Sequence, residues 1–432
     1  MVKSNKLLLY ATIFFSFLGP NVLSYPLGPI TLFPFRFFLI FLCIAIIFSI
    51  MNKNLKISFK KIKVKNEIIF LIIFIVYAFY SIFWSQDLIA AFRYFIFLFT
   101  GIFLTISMIY YIRTFNNIKK IIHIWIFIYT ILIPIALYEV FNGMYYFSTQ
   151  YDLKIAKVTY LFFYPPITVF HNENNYALFL SLSFPIFITF IKHEKKRILK
   201  IFYLLLLIIG FTLMLFTGSR ACYMGSLFGI MIWFLFLNKT KTKFTIITII
   251  VLFVVLNVFP FKNVENNLIY LVQEQLSSLF ERNKGSSNDI RINLIKNSLE
   301  AVFRTVGFGL GAGNVEYFME NNATYPTYNI YNVHNWWFEL LANFGFLIFF
   351  LFIRLYINIV KNLYSIIKTK ENNAFKHIAE GLFVSFITFI ISSTSPSSII
   401  AFMPMWVLLG MGLIVINSYK LEKNYGEVKC TF

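Results

Sequence analysis

Cysteine is nearly absent: Cys43, Cys222 and Cys430 are the three in 432 residues. The first two fall in apolar runs and the third near the C-terminus, so the sequence offers neither a disulfide framework nor a cysteine metal site. Charge is scarce as well. Asp, Glu, Lys and Arg make up 13% of the chain against 59% hydrophobic residues, at a mean hydropathy of +0.75, which excludes a water-soluble fold. Acidic residues are the scarcest charges, 18 against 38 Lys+Arg, for a formal charge of +20. An excess of that size would suit a nucleic-acid binder, but its placement argues against one.

Apolar runs of roughly 20 residues, the length of a membrane-spanning helix, recur about twelve times. They lie near 7–23, 30–51, 67–84, 88–112, 118–141, 173–192, 197–217, 220–237, 243–260, 334–360, 374–393 and 397–417. With a cytoplasmic N-terminus, the inner segments hold 27 of the 38 Lys+Arg, among them Lys53, Lys56, Lys60, Lys61, Lys63 and Lys65 in one loop. Every inner loop is then basic, as the positive-inside rule requires, and both termini are expected to be cytoplasmic. Anionic inner-leaflet lipid accounts for the charge without nucleic acid. Lys3 and Lys6 ahead of the first run suggest a signal peptide, but no small-residue cleavage site follows, so an uncleaved span is expected.

The expected fold is therefore an all-α polytopic membrane protein of about twelve transmembrane helices in a multi-pass arrangement. Residues 1–260 would carry helices one to nine, 261–333 an extracytoplasmic loop domain, and 334–432 helices ten to twelve with a cytoplasmic tail. No internal repeat of the transporter kind is visible. Within the loop, Asn288-Asp289 can cap a helix in which Ile292, Ile295, Leu299 and Val302 recur at helical spacing. GFGLGAGN follows at 307–314. It lacks the Lys-Ser/Thr of a phosphate loop and reads as a turn or a phosphate cradle.

Charges at membrane depth are costly and often mark substrate paths. Arg220 begins the eighth span on its outer side, directly after Gly218-Ser219. With Ser219 as helix cap, the free N–H groups and positive dipole end beside a guanidinium form an anion site; otherwise the arginine snorkels to outer headgroups. His334, in NVHNWWFELLANFG at the outer start of the tenth span, can act as a general base, as histidines do near neutral pH, or is a structural interface histidine. Trp336 and Trp337 beside it read as interfacial anchors, and Glu339, five positions on, does not share its helical face. HNENNYALFL at 171–180 offers His171, Asn172, Glu173 and Asn174 as sugar or acceptor ligands, or as a polar helix start capped by Asn172. No spacing supports a metal site. An enzyme working at the outer face has no access to cytosolic nucleotide sugars. It needs an activated donor already in the membrane, and an arginine pair suits a lipid-linked pyrophosphate.

At these residues the chain resembles the O-antigen ligase and polysaccharide polymerase superfamily. The matching pieces are TGSR at 217–220, Asn174 to Ala177, Arg291 followed by GFGLG, and HN at 334–335 leading to LANFG at 341–345. Asn343 departs from the family's frequent acidic residue. The resemblance implies a membrane glycosyltransferase of surface polysaccharide biosynthesis in the cell envelope, acting as O-antigen polymerase or ligase. It would transfer a glycan from undecaprenyl pyrophosphate to the hydroxyl of an acceptor glycan or glycolipid, without cofactor or metal. Carried over by position, Arg220 and Arg291 hold the pyrophosphate and His334 orients or deprotonates the acceptor, while Asn174, Ser219 and Asn335 stand as substrate-binding positions. A transporter or flippase of lipid-linked oligosaccharide is the competing expectation; it would favour ionisable residues near the midplane, where few are found.

Overall fold

A computed structural model describes residues 2–20, 22–27, 30–52, 62–147, 164–170, 172–237, 285–369 and 374–425. The ninth expected span, residues 261–284, His171 and Lys53 to Lys61 lie outside them. Among the described residues, ten helices are long and apolar enough to cross a membrane. The protein is an all-α polytopic membrane protein, with one short antiparallel hairpin of β1 (Tyr25–Leu27) and β2 (Ile30–Leu32) that the sequence did not announce.

The chain divides into two compact units. The first comprises residues 1–129, 294–383 and 397–432, the second residues 130–293 and 384–396. Their elements in chain order are α1 (Val2–Ser16), α2 (Pro34–Met51), α3 (Lys65–Ser81), α4 (Leu88–Tyr111), α5 (Phe115–Asn142), α6 (Glu173–His193), α7 (Arg197–Phe216), α8 (Arg220–Leu237), α9 (Ser287–Arg304), α10 (Val315–Asn321), α11 (Trp336–Lys368), α12 (Ala374–Ser392) and α13 (Met403–Tyr425). At its 15 residues, α1 spans about 22 Å, short of the ~30 Å hydrocarbon layer, so the first expected span is shorter and begins earlier than its apolar run.

Helix starts follow local chemistry. Asp87 caps α4, its carboxylate accepting from the Ala90 N–H at 2.9 Å, and Asn172 caps α6 by accepting from Asn175 at 2.9 Å. Pro34 opens α2 and Pro404 falls in the first turn of α13, where a missing N–H costs nothing. The start of α13 at Met403 leaves Ser397 to Ala401 outside the helix, although the apolar run had placed them within the last span.

In the first unit α4 packs on α13, and α11 packs on α3 and α13. Small residues bring α4 and α13 together: a methyl group at Gly101 would lie 2.5 Å from the Trp406 indole, and one at Gly410 2.6 Å from the Met108 sulfur. In the second unit α6 is the buried centre, flanked by α7 and α8. Gly225 and Gly229, four apart on α8, sit against Ser392 and Thr388 in the same way. Around these centres, apolar side chains such as Phe41, Ile47 and Phe48 on α2 remain about half exposed, as faces turned to lipid must be.

Candidate functional site

In the second unit the structure assembles four of the expected site residues. Arg220 opens α8, and its Nη2 donates to Ser287 Oγ at 3.3 Å. Ser287 and Arg291 stand four apart on α9 and share a face, so this contact carries Arg220 to the side of the helix that bears Arg291. Burial pushes the Arg291 guanidinium below its usual pKa, and the neighbouring Arg220 charge pushes it further the same way. Arg291 makes no ion pair among the described residues. Two like charges gathered on one face, one of them half-buried, form a place that an anion stabilises.

Ser219 does not cap α8 as its position suggests. Its hydroxyl meets Ser395 Oγ at 2.7 Å, and Ser395 donates to Asn174 Oδ1 at 2.5 Å. A hydroxyl has one proton, so Ser219 is the donor to Ser395. Asn174 and Ser219, expected separately, are thus linked through a residue the sequence reading passed over. Asn172 does cap its helix, leaving Asn174 free to face this network.

His334 and Asn335 belong to the first unit. Asn335 Oδ1 accepts from the Trp337 and Phe338 N–H groups at 3.1 and 3.5 Å and caps α11, a structural task that the sequence reading did not give it. His334 lies between this cap and the buried Val333, and its backbone is left-handed at φ 52°, a conformation uncommon outside glycine. Its position is fixed from both sides.

The element that follows departs from a continuous span. Gly345 adopts φ 71° and ψ −173° inside α11, a region open essentially to glycine alone. The Trp336 and Phe352 ring centroids lie 5.9 Å apart and those of Trp337 and Tyr356 5.4 Å apart. A straight helix would hold residues 336 and 352 about 24 Å apart. The chain therefore reverses at Gly345, and residues 336–344 fold back along the later part of α11. The reversal frees backbone groups that the glycine-rich run takes up: Leu310 N–H donates to Ala342 O at 2.9 Å, Gly311 N–H to Asn343 O at 3.0 Å, and Phe346 N–H to Gly307 O at 3.0 Å. Gly307, Gly309, Gly311 and Gly313 all have positive φ, so the run is a turn fitted to the break. Asn343 joins it, accepting from the Asn314 N–H at 3.0 Å. Trp336, read from sequence as an interfacial anchor, is fully buried by the fold-back.

Within the fold-back, Glu339 is buried and accepts from Tyr94 OH at 2.9 Å and Ser398 Oγ at 2.6 Å. Arg93 and Glu316 lie close by. Burial raises the Glu316 carboxyl above the usual carboxylate range, an effect the Arg93 charge opposes. The long apolar run gave no sign that Glu339 would be held by two other segments; a carboxylate inside such a run was the available signal.

A sequence model of the O-antigen ligase family matches residues 177–353. The chain is also 30% identical over 426 residues to the teichuronic acid biosynthesis protein TuaE of Bacillus subtilis strain 168, an alignment covering 97% of this chain and 86% of that protein. The family match takes in Arg220, Arg291, the glycine-rich run, His334 and Gly345.

Proposed function

We propose, given that this chain belongs to the O-antigen ligase and polysaccharide polymerase superfamily, that it transfers a glycan from a polyprenyl pyrophosphate such as undecaprenyl pyrophosphate to an acceptor hydroxyl outside the cytoplasmic membrane. A polymer-forming reaction suits the kinship with a teichuronic acid biosynthesis protein better than ligation. The observation that carries the reading is the gathering of Arg220 and Arg291 on one face of α9, with Arg291 charged against both burial and its neighbour. A diphosphate relieves both penalties, and charge on it grows as the bond to the anomeric carbon breaks, when paired guanidinium groups hold it most strongly. His334 takes the proton of the attacking hydroxyl. The lipid tail stays in the bilayer, so neither nucleotide sugar nor cofactor enters the scheme.

The experiment is elongation of lipid-linked oligosaccharide by the purified protein in liposomes. Arg220→Lys is expected to lower the rate about 10²-fold or more, because a point charge lacks the fork of a guanidinium. His334→Ala should cost ~10²–10⁴. Wild-type polymer length and rate in either variant at equal expression, or glycolipid crossing the bilayer with no bond formed, would overturn the reading.

A further inference from the structure

The first unit contains a cavity of about 210 Å³ whose wall includes Arg93, Tyr94, Glu316, Glu339, Asn343 and Ser398. Glu339 is 5% exposed, and its Oε1 takes both the Tyr94 and the Ser398 hydrogen bonds. Its Oε2 is buried without a hydrogen-bond partner. A carboxylate oxygen left so is costly, and in a wall of a polar cavity it marks where a donor from outside the protein would sit.

We infer that this cavity is a saccharide subsite that holds one sugar ring, with Glu339 Oε2 accepting from a ring hydroxyl. Sites for drug-sized ligands run from about 300 to 1,000 Å³, so this volume suits a single ring better than a chain. The lining offers what hydroxyls need: Arg93 only donates, the carboxylates of Glu316 and Glu339 accept, Asn343 does both, and Tyr94 supplies an aromatic wall. A cation fits less well, since Arg93 shares the space and among the described residues no three of His, Cys, Asp and Glu converge. Val333, next to His334, also lines the cavity. That the ring belongs to the acceptor rests on the proposed function; that a sugar binds does not. The fold-back at Gly345 builds the subsite, since it is what brings Glu339 to Tyr94 and Ser398.

The test is saturation-transfer NMR on the protein in lipid nanodiscs with glucose, N-acetylglucosamine and glucuronate as probes. Wild type should show transfer to at least one of them. Glu339→Gln and Ser398→Ala should reduce it at least fivefold without a change in Tm. Should Glu339→Gln not fold, Ala401→Phe, at an exposed lining position, should close the cavity with the same loss. No transfer to any probe in wild type, or undiminished transfer in folded Glu339→Gln or Ala401→Phe, overturns the inference. Glu339-dependent sugar binding by a protein that elongates no glycan would leave the subsite standing and remove the proposed function; elongation without sugar binding would do the reverse.

Discussion

Ser395 shows what a single hydroxyl does in this protein and why sequence alone does not reveal it. It accepts a hydrogen bond from Ser219 and donates its own to Asn174, partners 176 and 221 positions away along the chain. Replacing it by alanine removes the partner of two polar groups at once, and an orphaned buried group costs about 1–3 kcal/mol. Ser395→Ala should therefore lower Tm by several degrees in nanodiscs, and Ser395→Thr, which keeps the hydroxyl, should restore most of the loss. An unchanged Tm in the alanine variant would show that the network contributes nothing. Residues whose work is local were legible beforehand: Asn172 caps the helix that its position before Glu173 indicates, and Arg220 stands at the start of α8. Ser219 misled because capping and a distant partner compete for the same hydroxyl, and only tertiary structure decides between them. Helical spacing separates Glu339 from His334, and its partners Tyr94 and Ser398 lie on other segments, which no periodicity records.

At the scale of the element, hydropathy located the helices well and their interruptions poorly. Eight of the expected starts between residues 30 and 374 fall within a turn of those observed, because a lipid-facing helix must be apolar over its whole length. The reversal in α11 left no such mark: NFGF sits in a long run in which Glu339 and Asn343 are isolated polar residues. Its signal was instead distributed, a glycine at the break and alternate glycines some thirty residues earlier whose N–H and C=O groups answer the ones it exposes. A Cβ at Gly345 would overlap the carbonyl of Gly307, in a backbone region that costs a non-glycine residue about 1–3 kcal/mol before any clash. Gly345→Ala is expected to reduce folded yield and Tm more than Gly410→Ala, where the obstacle is the far end of the flexible Met108 side chain. Equal stability of the two variants, read by thermal unfolding in detergent, would mean that the reversal is not a constraint on the fold.

For the whole molecule, the distribution of Lys and Arg makes a claim about sidedness that the helices themselves leave open. Charge bias acts through short loops near helix ends, and the loop between α6 and α7 carries Lys195 and Lys196, with Arg197 opening α7, all within four residues of His193. The segment holding α9 and α10 lacks so dense a cluster, and it precedes His334 directly. If the basic loops are cytoplasmic, this segment faces outward and the proposed chemistry meets donor lipid after its export; if they are not, cytosolic nucleotide sugars would come within reach and the argument for a lipid-linked donor would lose its physical basis. Tyr328→Cys and Lys195→Cys, both at exposed positions, separate the two arrangements. With Cys43 and Cys430 replaced by serine and only the buried Cys222 retained, a membrane-impermeant maleimide applied to intact cells should label the first within minutes and the second only after permeabilisation. The opposite pattern would place Arg291 on the cytosolic side and detach the arginine pair from any exported pyrophosphate.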